Sequence, residues 1–408
     1  MKVIFHIDLN AFYASAEQAR HPEYKDKPLV VAGDSRRGIV TTASYQARQY
    51  GIHSAMPLFK AKELCKDLIN VPVDHAYYRE LSNIFFKVIA SYSDIIEVAS
   101  IDECYVDVSE NLENSTNAED ILNLAKQIQD DVYKAIDIHC SIGVSPNKFL
   151  SKMASDMKKP NGITIITKQN LKEVLWVLPI NKMFGIGKKT APKLIELGIL
   201  TIGDLAKYEN FDKAKSILGK NTLIYHYRAN GVDPSKINID HNTLKSVGHS
   251  TTLPKDTSDE DEIKDLLKDL SRRVSLRASR RDLVSKNISI TLKYTRFESV
   301  VRSISIDEYT NDYETILSNA LILFERHFEN KPIRLAGVSL NNTIERKDIK
   351  EQLSLFNYQY KEKNVSEIDK LVSSLNGDMG NSDLLMKASE LNKSETKHIQ
   401  KKYLKEES

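Results

Sequence analysis

Residues 97–108 read EVASIDECYVDV, two runs of Ile, Val and Tyr with the adjacent carboxylates Asp102 and Glu103 between them. The β-branched and aromatic residues predict the two strands of a hairpin. Neighbours in a regular strand point to opposite faces. Asp102 and Glu103 therefore serve one site only where that alternation breaks, at a strand end or in the turn. A third acid, Asp8, ends the apolar run of residues 2–13, KVIFHIDLNAFY, where a strand gives way to a helix pattern over 9–18 with Asn10 in the capping position. Three carboxylates on two strand ends suit Mg²⁺, which takes a few carboxylates together with substrate phosphates rather than an all-protein cage. A pair of such ions clamps the attacking and leaving oxygens of a phosphoryl displacement. The competing reading is a solvated acidic turn, and spacing alone leaves both open.

At 408 residues the chain has room for two to four domains. Its 41% hydrophobic and 28% charged residues are those of a soluble globular protein. The net charge is only +2, so a nucleic-acid surface has to come from local clustering. Cys65, Cys104 and Cys140 are odd in number and lack CxxC spacing, which argues against a disulfide framework or a zinc site and suits a reducing cytoplasm. No run of about eighteen apolar residues predicts a membrane span, and the N-terminus does not read as a signal peptide. A cytoplasmic protein is expected.

Residues 28–45 give two short β-rich runs, followed by a helix over 43–50 that carries Tyr45 and Arg48 on one face. Such a pair can grip a polyphosphate or simply cover a surface stripe. Helices are predicted over 57–65, 77–92 and 118–136, the last with a core stripe of Ile121, Leu124, Ala125, Ile128 and Val132. Residues 140–166 then read strand, helix, turn, strand, with Ser145 as cap, Pro146 at the first helical position and Phe149, Leu150 and Met153 inward. Lys148 and Lys152 share a face of that helix. Lys158 and Lys159 precede a Pro-Asn-Gly turn, where a lysine holds a phosphate as a point charge or merely solvates a helix end.

Composition changes at 166, and residues 169–230 contain no convincing strand. Within them Gly185-Ile186-Gly187-Lys188 lies between helices, and Gly198 closes the second one. A glycine-rich hairpin there lets backbone N–H groups approach a DNA phosphate without reading sequence. Glycine as a plain helix stop is the alternative. The Gly, Pro, Asp and Asn of residues 230–244 read as a linker. Beyond it, residues 272–302 hold nine Lys and Arg against two acids, which outweighs a merely solvated face. Strands are predicted over 287–294, 300–306 and 334–340 and helices over 259–279 and 312–327. The result is a small α+β domain with arginine on the solvent face of its sheet, suited to a duplex backbone. Later, the isolated apolar QLSLF at 352–356 is expected to fold onto a partner groove.

HIDLNAFYASAE at 6–17, TTASYQAR at 41–48, YGIHSAMP at 50–57, SIDECYVD at 100–107, SIGVSPNKFLSKMASDMKKPNG at 141–162 and FGIGKKT at 184–190 follow one another in this order. With them the chain resembles the Y family of lesion-bypass DNA polymerases over residues 1–345 and, through QLSLF, to 356. The resemblance implies an α+β multidomain right-hand fold. Its parts are a catalytic palm at 1–10 and 78–165, fingers at 11–77, a helix-hairpin-helix thumb at 166–230, a linker at 231–241, a DNA-binding little finger at 242–345 and a tail at 346–408. It implies a monomeric, low-fidelity, template-directed DNA polymerase in which Asp8, Asp102 and Glu103, with the Leu9 carbonyl, hold two Mg²⁺ ions. Tyr45, Arg48 and Lys159 would neutralise the triphosphate of the incoming deoxynucleotide, and Tyr13 would be the steric gate against a 2′-hydroxyl. Gly185, Gly187, Lys188, Arg296 and Arg302 would contact primer-template DNA. Gln352, Leu353, Leu355 and Phe356 would bind the β sliding clamp.

Thr41, Thr42, Ala55 and Met56 are slim where the templating pair passes, and a roomy site gives up fidelity. Asn10 stands where many of that family carry an acid. Two rivals remain at this point. A nucleotide cyclase also activates a 3′-hydroxyl with two metals, but has no use for the hairpin, the basic module or QLSLF. A clamp-tethered DNA-binding factor with an inactive palm is the other, and three intact acids count against it.

Overall fold

In the first strand, β1 (Ile4–Leu9), every residue is buried although His6 and Asp8 alternate with Phe5, Ile7 and Leu9. Both faces of this strand are therefore covered, one by hydrocarbon and one by polar groups with partners. The computed structural model describes residues 2–35, 37–112, 117–239 and 244–349; QLSLF and the rest of the tail lie outside the described residues. These residues form two compact units, one within 2–239 and one within 244–349.

After β1 come α1 (Phe12–Arg20), β2 (Leu29–Ala32), β3 (Val40–Ala43), α2 (Tyr45–Gln49), α3 (Leu58–Leu64), β4 (Ile69–Val71), α4 (His75–Ala90), β5 (Ile96–Val98), β6 (Glu103–Asp107), α5 (Ala118–Ile136), β7 (Cys140–Ser145), α6 (Lys148–Met157) and β8 (Ile163–Ile165). A five-stranded sheet has the order β5-β6-β1-β7-β8, with β1 antiparallel to both neighbours. On one face Phe5, Ile7, Cys104, Val106, Ile142 and Val144 join the stripe of α5, Ile121, Ala125, Ile128 and Val132, and Phe85 and Ile89 of α4. Each fully buried Ile, Leu or Phe there contributes about 1.5–3 kcal/mol relative to exposure.

The other face carries His6 and Asp8, and across the ladder Tyr105 and Glu103. There α6 lies directly on the sheet, because β7 presents Gly143 in register with His6. A Cβ at residue 143 would run into the Ser151 carbonyl oxygen and the Ser155 amide nitrogen. Residues Phe149 to Ser155 of α6 are all buried.

A separate three-stranded sheet, β3-β2-β4, packs Val30, Ala32 and Val40 against Ala47, Ile52, Leu58 and Ala61.

Two predicted caps differ from those observed. Ala11, in the left-handed region at φ 47°, precedes α1 without a side-chain cap. Asn10 instead donates to Ser141 Oγ at 2.9 Å and accepts from the Asn161 amide at 2.7 Å, tying the strand end to the turn after α6. Ser145 completes β7, and Asn147 caps α6 by accepting from Leu150 N at 2.9 Å. Serine and asparagine both cap well, and the length of the β7 ladder decides between them.

Residues 169–230 are helical as expected, with α7 (Leu171–Val174), α8 (Ala191–Glu196), α9 (Ile202–Ala206), α10 (Phe211–Leu218) and α11 (Thr222–Ala229). Their core joins Leu175, Ile186, Leu194 and Ile202 to Phe149, Leu150 and Met153 of α6.

The segment predicted as a linker is strapped down through residue 238. Asn147 Nδ2 donates to the Gly231 carbonyl at 2.9 Å, Phe149 N to Asp233 at 3.1 Å, and Asn238 N to Glu97 at 2.7 Å. Asp233 and Glu97 give these backbone donors acceptors that the linker's composition did not reveal.

The second unit contains β9 (Ser246–Thr257), α12 (Glu260–Ser279), β10 (Leu283–Tyr294), β11 (Ser299–Thr310), α13 (Tyr313–His327), β12 (Ile333–Asn341) and β13 (Ile344–Glu345). The sheet order is β11-β10-β12-β9, and Ile288, Ile290 and Leu292 pack with Leu267, Leu270, Val274 and Phe324 of the helices. The uncovered face is rich in small neutral groups: Ser250, Ser289, Thr291, Ser303, Gly337 and Ser339 occupy facing positions of the four strands. This corrects the prediction of arginine on the solvent face. Arg302 pairs with buried Ile290, so it belongs to the helix-covered face and stays exposed because β11 is an edge strand.

Candidate active site

The adjacent acids Asp102 and Glu103 of EVASIDECYVDV sit where the strand alternation breaks. β6 begins at Glu103, and Ala99 N and Ser100 N both bond the Glu103 carbonyl, closing a tight hairpin that leaves Asp102 at its turn. Glu103 is the register partner of Asp8, and the Asp102 carbonyl accepts from Leu9 N at 3.0 Å. The three acids and Leu9 therefore meet at one sheet end. Ser100 Oγ donates to Asp102 Oδ1 at 2.5 Å. Even so, burial pushes the Asp102 carboxyl up to about 6, and the charges of Asp8 and Glu103 push it the same way.

Two ammonium groups face this carboxylate cluster. Lys152 Nζ lies 3.2 Å from Asp8 Oδ2, 3.3 Å from Glu103 Oε1 and 3.5 Å from Asp156 Oδ2. Lys159 Nζ lies 2.7 Å from Asp8 Oδ2 and 2.8 Å from Asp156 Oδ1. Burial lowers both ammonium pKa values, but the carboxylates win and each lysine is raised above its ordinary range. Among the described residues no three His, Cys, Asp or Glu side chains form a ready-made metal cage. Lys148, predicted to share a face with Lys152, pairs with Glu97 at 2.6 Å instead.

Beneath the cluster His6 is fully buried, with Nδ1 2.8 Å from Ser155 Oγ and Nε2 3.5 Å from Glu103 Oε2. Burial first, and then Lys152, lower its pKa to about 3, so the ring stays neutral at physiological pH.

Tyr45 and Arg48 are brought together with Lys159. The Arg48 guanidinium lies 4.7 Å over the Tyr45 ring and is fixed by a 3.0 Å bond from Nε to the Ala43 carbonyl. Burial raises the Tyr45 phenol, while Arg48 and Lys159 lower it and Asp8 raises it. Among the described residues the buried Tyr45 hydroxyl finds no hydrogen-bonding partner of good geometry, its nearest polar influence being the Arg48 side chain.

Tyr13 stands on α1, where burial and then the charge of Asp102 raise its phenol. Its ring stacks on Tyr78 with centroids 4.1 Å apart and planes 14° from parallel. Tyr78 is fully buried and donates to Glu17 Oε1 at 2.7 Å, so the platform is tied to the helix that carries Tyr13.

Gly185 adopts φ 92°, and a Cβ there would strike Tyr225, whose hydroxyl donates to the Gly185 carbonyl at 3.0 Å. Gly187 faces open space and Lys188 is exposed. In the second unit Arg296, in the β10–β11 turn, and Arg302 are exposed.

Sequence reasoning missed His6, Tyr78, Glu17 and the inward role of Lys152. Only Lys152 carried a signal, standing one turn after Phe149 on a buried helix.

The impB/mucB/samB family matches residues 7–156, its C-terminal domain residues 244–355, and the IMS family HHH motif residues 168–199. The chain is 40% identical to DNA polymerase IV of Oceanobacillus iheyensis over 99% of this chain and 96% of that protein. It is 39% identical to DNA polymerase IV 1 of Bacillus subtilis over 97% and 95%. Among solved structures, the Y-family DNA polymerase chimera Dbh-Dpo4(243-245)-Dbh matches with a TM-score of 0.75 at 30% identity, covering 84% of this chain and 99% of that one. The insertion ternary complex of Dbh DNA polymerase matches at 30% identity over the same shares with a TM-score of 0.61. No helix among the described residues is long and apolar enough to cross a membrane. With family matches along most of its length and near 40% identity to these relatives, the chain belongs to the Y family of DNA polymerases and is a DNA-directed DNA polymerase of the translesion kind.

Proposed function

We propose that the chain extends a primer on damaged or distorted template by two-metal nucleotidyl transfer and is recruited by the sliding clamp. What supports the catalytic reading is the meeting of Asp8, Asp102 and Glu103 at one sheet end beside two lysines. These hard oxygen donors, with the Leu9 carbonyl, suit two Mg²⁺ ions, and an incomplete cage is expected where substrate phosphates supply the remaining ligands. When bound, the ions lower the pKa of the primer 3′-hydroxyl and stabilise the pyrophosphate leaving group.

The chain's own residues do the rest. Arg48 and Lys159 supply positive charge to the triphosphate, and Tyr45 offers it a buried hydroxyl without a well-aligned partner among the described residues. The Tyr13 ring blocks the position of a ribose 2′-hydroxyl. Gly185, Gly187 and Lys188 hold a backbone phosphate of primer-template DNA, and Arg296 and Arg302 add charge in the little finger. QLSLF at 352–356 tethers the enzyme to the β clamp, which raises the local concentration of primer ends.

The test is primer extension with each deoxynucleotide singly. Asp102→Ala and Glu103→Ala abolish extension while DNA binding persists. A Glu103→Ala enzyme that extends primers at the parent rate refutes the metal reading.

A further inference from the structure

Two lysines face the acids, but they differ in freedom. Lys159 follows α6 in a turn, and its side chain keeps about a quarter of its surface exposed, so it can leave Asp8 for a substrate phosphate. Lys152 lies mid-helix with a side chain only 8% exposed, in a stretch, Phe149 to Ser155, that is buried throughout. Its ammonium donates to Asp8 and Glu103 and lies within ion-pair distance of a third carboxylate, Asp156. Asp8 and Glu103 are direct cross-strand partners, where like charges repel. Helix α6 is pinned at this point: Ser155 Oγ contacts His6 and donates to the Lys152 carbonyl at 2.9 Å.

We propose that Lys152 is a positioning residue: a built-in cation that holds Asp8 and Glu103 converged before any divalent ion arrives, at the expense of metal affinity. This rests on the reading of Asp8, Asp102 and Glu103 as the metal seat. Lys152 thereby keeps the site assembled in the free enzyme. Because its charge also opposes the ions, tight metal binding waits for the phosphates of the nucleotide.

The experiment uses the full chain, with Lys152→Met, Lys152→Gln and Lys152→Arg. Melting is followed in EDTA and in millimolar Mg²⁺, and Mn²⁺ binding is titrated by electron paramagnetic resonance, with DNA and a non-hydrolysable nucleotide and without them. Lys152→Met is expected to melt roughly 6–20 °C below the parent in EDTA, the range for a broken buried ion pair in a domain of this size. Mg²⁺ should close most of that gap while barely moving the parent or Lys152→Arg. Without substrates, Lys152→Met should bind Mn²⁺ about tenfold more tightly than the parent, the factor that corresponds to one pKa unit of interaction. If Lys152→Met does not fold, Lys152→Gln must show the same metal dependence. A deficit equal in EDTA and Mg²⁺ with unchanged Mn²⁺ affinity makes the lysine merely structural and overturns the proposal, as does the absence of any deficit. If the parent with DNA and nucleotide binds no Mn²⁺, the metal seat itself is wrong and the proposal falls with it.

Discussion

Replacing Tyr78 tests whether the sugar gate is a lone ring or a braced one. Tyr13 lies flat on Tyr78, and Tyr78 is anchored through its hydroxyl to Glu17, four residues further along the helix that bears Tyr13. An aromatic stack is worth about 0.5–1.5 kcal/mol beyond burial. Tyr78→Leu removes that restraint while leaving Tyr13 in place. The gate ring then yields to a 2′-hydroxyl more readily, and discrimination should fall about three- to tenfold, since 1.4 kcal/mol corresponds to a factor of ten. Tyr78→Phe keeps the stack but loses the bond to Glu17, a carboxylate only 2% exposed. It should cost about 1–3 kcal/mol of stability with little change in sugar choice. Tyr13→Ala should lower discrimination by on the order of a hundredfold or more, the scale on which a shaped pocket separates close analogues. The assay compares kcat/KM for a deoxynucleotide and its ribonucleotide opposite the same template base. If Tyr13→Ala relaxes discrimination and Tyr78→Leu does not, the gate needs no platform. If neither does, Tyr13 is not the gate.

The buried imidazole of His6 takes a proton only near pH 3, whereas in the unfolded chain it does so near 6.5. The unfolded state therefore binds more protons between those values, and stability falls as pH drops through that window, by about 2 kcal/mol from 6.5 to 5. Asp102 acts in the opposite sense between 3.8 and about 6, because its folded form holds the proton more tightly. Denaturation at several pH values should thus show acid loss that flattens below about pH 6 in the parent and continues in Asp102→Asn; an identical profile in His6→Gln would remove His6 from the account. Gly185→Ala forces a side chain into the left-handed region and against Tyr225, and should weaken DNA binding several-fold without altering the rate at saturating DNA. Unchanged affinity argues against the hairpin as a phosphate grip. Deleting residues 352–356 should abolish stimulation by the clamp and spare basal synthesis, and equal stimulation of the truncated enzyme contradicts the tether.

Much of this was legible from residues alone because it is periodic or local. The α5 stripe is a 3.6-residue pattern, and its predicted bounds, 118–136, match the helix. Asp102 and Glu103 stand out because two carboxylates interrupt apolar strands. The rest depends on what another segment brings. Lysines 148 and 152 look alike in sequence, yet Glu97 draws one out and Asp8 draws the other in. Glu17 and Tyr78 lie 61 residues apart, and nothing local pairs them. The face on which Arg302 falls depends on a register set by β10 and β11, which charge counting does not see.

The strap over residues 231–238 has a mechanical corollary. Its bonds end on Asn147 and Phe149 at the start of α6, and on Glu97, which also grips Lys148. Tension entering this strap at residue 238 is therefore met first by Glu97 of β5, and only then, through Lys148 and through the bonds of Gly231 and Asp233, by the N-terminal turn of the helix whose middle carries Lys152. The strap thus braces two elements of the sheet layer at once, β5 at Glu97 and the start of α6, about one and a half helical turns before Lys152.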